Sequence, residues 1–142
     1  MKINNVKDQL KRDEGTVLHA YQDHLGYWTI GVGRLIDKRK GGGITEDEAD
    51  YLLNNDISKR AGELENRIPW FNDLDLVRQG ALINMSFQLG VEGLLGFKTT
   101  LSLIREHKFN EASEQALKSL WARQTPNRAR RIAAQIAEGV WK

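Results

Sequence analysis

The apolar pattern of this chain changes period once, and that change restricts the fold more than any other feature. From Thr29 the residues read Thr-Ile-Gly-Val-Gly-Arg-Leu. Ile30 and Val32 alternate with Thr29, Gly31, Gly33 and Leu35, which is the period of a strand. Residues 18–21 supply a preceding strand, and Asp23-His24-Leu25-Gly26 between the two has the composition of a turn. Residues 38–43 form a basic, glycine-rich loop. From Thr45 onward the pattern is helical. Thr45-Glu46-Asp47-Glu48 has the Thr-x-x-Glu form of a capping box. Behind it Ala49, Leu52, Leu53, Ile57, Ala61 and Leu64 form a 3.6-residue stripe, predicting a long helix that ends near Pro69. Asp73 reads as the cap of a second apolar helix through Val77, Ala81, Met85 and Leu89, closed at Gly90. Further helices are predicted over 98–105 and 110–121. Thr125-Pro126 reads as an N-cap followed by proline at the first helical position. The chain before the strands has Val6 and Leu10 at i,i+4 spacing, a short helix over about 4–12 that stops at Asp13-Glu14-Gly15. The predicted class is α+β, with a small β-containing region at 16–43 and a larger helical lobe.

Composition narrows what such a chain does. Its 142 residues suit one compact domain. A chain of that length buries roughly 68–70% of its unfolded surface and needs no covalent staple. It contains no cysteine, which excludes disulfides, thiolate metal sites and a cysteine nucleophile, and fits folding in a reducing compartment. A net charge of +2 and an isoelectric point of about 8.9 suit an anionic polymer without selecting one. The basic runs Lys38-Arg39-Lys40 and Arg128-Ala129-Arg130-Arg131 raise the alternative of a nucleic-acid module. The isoelectric point lies below that of a dedicated binder of this kind, so the runs read as solvated faces and no nucleic-acid partner is expected. No signal-peptide pattern and no run of 18 apolar residues is present, so neither export nor membrane insertion is expected.

Glu14 ends the first helix, Asp23 sits in the turn and Thr29 begins a strand, a Glu-x8-Asp-x5-Thr spacing. Cleavage of a glycosidic bond needs such a pair: one acid to protonate the leaving oxygen, and one carboxylate to stabilise charge or activate water. On spacing alone, the two are members of a set of 19 acids and read equally well as surface charges.

The surrounding residues carry more. Asp13-Glu14-Gly15, Ala20-Tyr21-Gln22-Asp23 and Gly26-Tyr27-Trp28-Thr29-Ile30-Gly31-Val32-Gly33 closely resemble the catalytic region of phage lysozymes, the endolysin family typified by the T-even phages. The resemblance continues through Thr45-Glu46-Asp47-Glu48-Ala49, Ile83-Asn84-Met85-Ser86-Phe87-Gln88-Leu89-Gly90 and Trp121-Ala122-Arg123-Gln124-Thr125-Pro126-Asn127-Arg128-Ala129. These blocks keep their order over nearly the whole chain.

The resemblance implies a lysozyme-like fold and hydrolysis of the β-1,4 bond between N-acetylmuramic acid and N-acetylglucosamine in peptidoglycan. It implies a small lobe at about 13–44, a connecting helix at about 45–68, and a helical lobe formed by 69–142 together with the N-terminal helix. Glu14 would be the general acid; Asp23 would position a nucleophilic water or stabilise the oxocarbenium-like transition state, with Thr29 helping to hold that water, in a reaction expected to be inverting. Leu35, Phe87, Thr100 and Gln115 match substrate contacts, although the T-even members carry Ser and Asn at the last two, and Phe87 reads equally well as a core aromatic. Apart from the resemblance, Asn84 and Gln88 stand four apart on an otherwise apolar helix, where polar groups face a cleft or satisfy buried backbone groups; Gln88 is read as facing the cleft and Asn84 as structural. Arg128 matches an arginine that lies near the catalytic glutamate. The family's histidine is replaced by Arg34, which is expected to pair with Asp56. The connection before Thr45 is shorter by roughly a dozen residues. No cofactor or metal is implied. The expected partner is the glycan strand, met by a monomer that a holin releases from the host cytoplasm to the periplasmic wall.

Two rivals remain at this level. A lytic transglycosylase would cut the same bond with one glutamate and no water, leaving Asp23 and Thr29 without a task. A lysozyme-fold protein that binds glycan without cutting it would not need all three.

Overall fold

The computed structural model describes residues 3–142 and is mostly helical, with one three-stranded sheet. Backbone contacts divide the chain into two units, residues up to Leu52 and Leu53–Lys142.

The first unit begins with helix α1, Ile3–Glu14. Lys11 and Arg12 in its last turn complement the negative end of the helix dipole. The Gly15 N–H closes it by donating to the Lys11 carbonyl at 2.9 Å, so Glu14 is the last helical residue. The antiparallel sheet follows in the order β1 (Val17–Gln22), β2 (Trp28–Gly31), β3 (Arg34–Leu35). Here the sequence-based expectation fails in one respect. Residues 29–35 are not one strand. Gly31 (φ +68°) and Gly33 (φ +69°) flank Val32 in a tight turn, and the chain reverses. Only glycine enters that backbone region without penalty, so the Gly-x-Gly that read as half of an alternating strand is a hairpin signal. Thr29 pairs with Leu35, and Ile30 with Arg34. Gly33 therefore does not share a strand face with Thr29.

The basic loop folds as a 3-10 turn over Lys38–Lys40, with Asp37 capping it by accepting from the Arg39 N–H. The capping box forms as expected: Thr45 N–H donates to Glu48 Oε1 at 3.0 Å, and Glu48 N–H to Thr45 Oγ1 at 3.2 Å. It opens helix α2, Glu46–Arg67, which runs on into the second unit.

In the second unit helix α3 spans Leu76–Leu95, α4 Lys98–Arg105, α5 Phe109–Ala116, α6 Leu120–Gln124 and α7 Pro126–Glu138. The cap of α3 is Asp75, whose carboxylate accepts from the Arg78 N–H; Asp73 lies in a preceding 3-10 turn, Phe71–Asp73. Gly90 breaks the helical geometry (φ +75°, ψ 166°), as its sequence position predicts, but a further helical turn follows it. The single helix expected over 110–121 is divided between α5 and α6. Ser119 caps α6 by accepting from the Ala122 N–H. Thr125 precedes Pro126 as expected, yet its hydroxyl does not cap α7 but donates to the Trp121 carbonyl.

Leu64, Phe71, Leu82, Met85, Leu94, Ile104 and Ile136 are wholly buried and form one core. Helices α5 and α7 pack on each other, both presenting buried alanines (Ala112, Ala116, Ala129, Ala133). Arg78 ties the start of α3 to the end of α7, donating to the carbonyls of Ile136 and Ala137 while its guanidinium stacks 3.6 Å from the Phe109 ring centroid.

Candidate active site

Glu14, Asp23, Thr29 and Leu35 all lie in the first unit. Glu14 projects from the C-terminal end of α1, a position where the helix dipole disfavours a carboxylate. Helix stability does not select it. Its side chain lies against Gly33: a Cβ placed there would come within 2.8 Å of Glu14 Oε2. The hairpin glycine thus makes room for the carboxylate.

Asp23 is held by the backbone around it. Its Oδ1 accepts from the N–H groups of Leu25 (2.9 Å) and Tyr27 (2.8 Å), while its own N–H donates to the Tyr27 carbonyl (2.8 Å). This is the Asx turn that Asp and Gly at 23 and 26 favour. Both protein hydrogen bonds fall on one oxygen, so Oδ2 keeps its acceptor capacity.

Thr29 is buried at 3% exposure, and its hydroxyl donates to the Tyr27 carbonyl at 3.0 Å. With the proton so committed, the Thr29 oxygen presents only lone pairs to anything else, and it acts as an acceptor. Asp23 and Thr29 therefore converge on the peptide groups of Tyr27, a residue that sequence reasoning quoted but gave no role. Leu35 is the cross-strand partner of Thr29 on the same face.

The Arg34–Asp56 ion pair expected from the sequence is not the one formed. Arg34 Nη1 lies 2.6 Å from Glu48 Oε2 and also donates to the Gly43 carbonyl. Glu48 stands two turns before Asp56 on α2. The Arg34 guanidinium, and then the Thr45 N–H, hold the Glu48 carboxyl below its ordinary range. Sequence reasoning assigned Glu48 to the capping box and did not ask whether one carboxylate serves two partners. With about four lone-pair sites it does.

The remaining candidates lie in the second unit, where two grooves take in all of them but Gln88 and Asp56. Buried Thr100 and half-buried Gln115 line one groove of about 540 Å³, together with Lys98, Ser119 and Trp121. Phe87, Asn84 and Arg128 line another of about 530 Å³, with Leu53, Ile57 and Trp141. Asn84 has the structural task expected of it: its Oδ1 accepts two hydrogen bonds from Arg128, at 3.0 and 2.8 Å. Gln88 is engaged within the protein, accepting from Trp121 Nε1 at 2.9 Å and donating to Thr125 Oγ1 at 3.3 Å. Phe87 is 38% exposed, and the Arg60 guanidinium lies 5.4 Å from its ring centroid.

The phage lysozyme family model matches residues 11–134. The chain is 35% identical to a probable T4-type lysozyme 1 of Dictyostelium discoideum, over 96% of both proteins. It is 33% identical to a probable T4-type lysozyme 2 of the same organism, over 99% of this chain and 98% of the relative. An endolysin of Acyrthosiphon pisum secondary endosymbiont phage 1 is 28% identical over 83% of this chain and 77% of its own length.

Proposed function

The chain belongs to the phage lysozyme family and is a muramidase that lyses peptidoglycan, and on that premise we propose that Glu14, Asp23 and Thr29 carry the reaction. Glu14 protonates the glycosidic oxygen between N-acetylmuramic acid and N-acetylglucosamine as the bond breaks. Asp23 Oδ2 accepts a proton from the attacking water, and the Thr29 oxygen accepts the water's other hydrogen. Two acceptors held by the peptide groups of one residue would fix the water's orientation before attack, which is how positioning lowers a barrier.

The observation that supports this reading most is the arrangement around Tyr27. Its N–H and carbonyl groups occupy Asp23 Oδ1 and the Thr29 proton. What remains free on each side chain is acceptor capacity, to which a water, or equally a sugar hydroxyl, donates. A transglycosylase has no use for such a water.

The reaction is inverting in this account, because a water lies between carboxylate and sugar. Proton NMR of freshly formed products tests it. Inversion of a β-bond gives the α-anomer at the new reducing end, retention gives the β-anomer, and a 1,6-anhydro end marks transglycosylation. Either of the latter two overturns the roles given to Asp23 and Thr29.

The wider reading goes with these roles. Leu35, Phe87, Gln88, Thr100 and Gln115 are proposed as glycan contacts, and Arg128 as a residue that supports the site while anchored on Asn84. The small lobe is proposed as 13–44, the connecting helix as 45–68 and the helical lobe as 69–142. Among the described residues, no helix is long and apolar enough to cross a membrane. The protein is proposed to act as a monomer on the periplasmic wall after a holin releases it from the host cytoplasm.

A further inference from the structure

The two residues proposed to hold the water share one neighbour. The Tyr27 N–H donates to Asp23 Oδ1, and the Tyr27 carbonyl accepts from both the Asp23 N–H and the Thr29 hydroxyl. A shift at Tyr27 therefore moves both acceptors of the water together. The Tyr27 ring is half-buried, and the Lys40 ammonium lies 4.8 Å from its centroid, within the range of a cation–π contact.

Lys40 is well placed to act as a fixed point. It ends the 3-10 turn that Asp37 caps, and the chain around that turn is tied down three times. Gly41 N–H donates to the Lys38 carbonyl, Gly42 N–H to the Asp37 carbonyl, and Gly43 N–H to the Leu35 carbonyl. The last of these joins the loop to β3, whose partner β2 carries Thr29. Charge distinguishes Lys40 within the basic run. Arg39 is neutralised by Asp37 at 2.5 Å, whereas Lys40 makes no ion pair among the described residues.

We propose that Lys40 is a positioning residue for the hydrolysis, its ammonium clamping the Tyr27 ring so that Asp23 and Thr29 keep the geometry of the water site. The proposal rests on the roles given above to Asp23 and Thr29. It gives the basic loop a task that its charge alone does not reveal, and it separates Lys40 from a cation that merely attracts an acidic wall.

The test is a double-mutant cycle on the full chain, with kcat and KM measured on soluble peptidoglycan fragments and Tm recorded for each protein. Lys40→Met removes the charge and keeps the chain length. It is expected to lower kcat about two- to fivefold, the value of one partly exposed cation–π contact, at unchanged KM and nearly unchanged Tm. Lys40→Arg keeps a cation over the ring and is expected to restore kcat. In an Asp23→Asn background, assayed at raised enzyme concentration, Lys40→Met is expected to have no further effect, because the route through Asp23 is already lost.

A raised KM at unchanged kcat would mean that Lys40 meets the substrate directly, and would overturn the proposal. So would a kcat equal to the parent's, a loss that Arg fails to restore, or a loss of full size in the Asp23→Asn background. The underlying reading fails separately. If Asp23→Asn keeps the parent's activity, the role of Asp23 is wrong and Lys40 has nothing to position. If Asp23→Asn is inactive and Lys40→Met matches the parent, the Lys40 proposal alone is wrong.

Discussion

The carboxylate of Glu14 occupies the space that a side chain on Gly33 would need, with a Cβ there falling 2.8 Å from Glu14 Oε2. Gly33 also has φ +69°, a region that other residues enter at a cost. Two separable effects follow for Gly33→Ala. The backbone conformation costs about 1 kcal/mol of stability. The flexible Glu14 side chain yields to the new methyl group, and a displacement near 1 Å of a reacting group costs about a hundredfold in rate. Thermal unfolding and lytic rate, measured on the same preparation, should show a small fall in Tm beside a much larger fall in activity. Activity that declines only as far as Tm does would contradict the contact's role.

Arg34 and Glu48 give a prediction about pH. The Glu48 carboxyl is held below its usual range by the Arg34 guanidinium first and the Thr45 N–H second. A depressed carboxyl stabilises the fold above its unfolded value, about 4.3, and loses that contribution as pH falls through its folded value. Arginine does not titrate in this range, so the parent's pairing is constant between pH 5 and 8. An Arg34→His variant reverses the sign at the other partner. An imidazolium beside Glu48 has a raised pKa, so its contribution is complete below about 6.5 and disappears as pH rises through the raised value. The Tm gap between parent and variant should widen from pH 5.5 to 8. A variant with the parent's profile would show that Arg34 and Glu48 are not coupled.

Asp75, and not Asp73, caps α3. Partial burial pushes its carboxyl up, but the Arg78 N–H and guanidinium outweigh this and hold it below the usual aspartate value. Asp75→Ala removes a cap and is expected to cost about 1 kcal/mol at neutral pH. Asp73→Ala, which removes no capping bond of α3, should stay within about 0.5 kcal/mol. The penalty of Asp75→Ala should shrink in acid, because the depressed carboxyl contributes only while ionised and is lost as pH falls through its folded value. Denaturant midpoints at pH 7 and pH 3 measure both; equal penalties for the two alanine variants would reject this assignment of the cap.

What was legible in the sequence was what local chemistry decides. The Thr45–Glu48 box, the stop at Gly15 and the proline that opens α7 lie where their residue types place them, because each depends on groups within four residues. Val32 shows the limit. Its alternation with Ile30 fits a strand, and only the positive φ of the two flanking glycines turns the segment into a hairpin. Asp73 and Asp75 are both good caps, and the choice between them was made by the Phe71–Asp73 turn that buries Phe71. The partner of Arg34 required knowing which face of α2 the hairpin meets, which no spacing encodes. Glu14, Asp23 and Thr29, the residues proposed for the site, were named from their surroundings in the sequence. Tyr27 and Lys40 were not, since one acts through its peptide groups and the other through the face of a ring.

In the proposed mechanism Glu14 supplies the proton for glycosidic cleavage. The most direct test is the loss of turbidity of permeabilised Gram-negative cells with the parent and with Glu14→Gln, which keeps the shape and removes the acid. The parent is expected to clear the suspension, and the variant, folded to the same Tm, to be slower by at least about a hundredfold. Clearing by the variant at a rate near the parent's would show that lysis does not pass through Glu14.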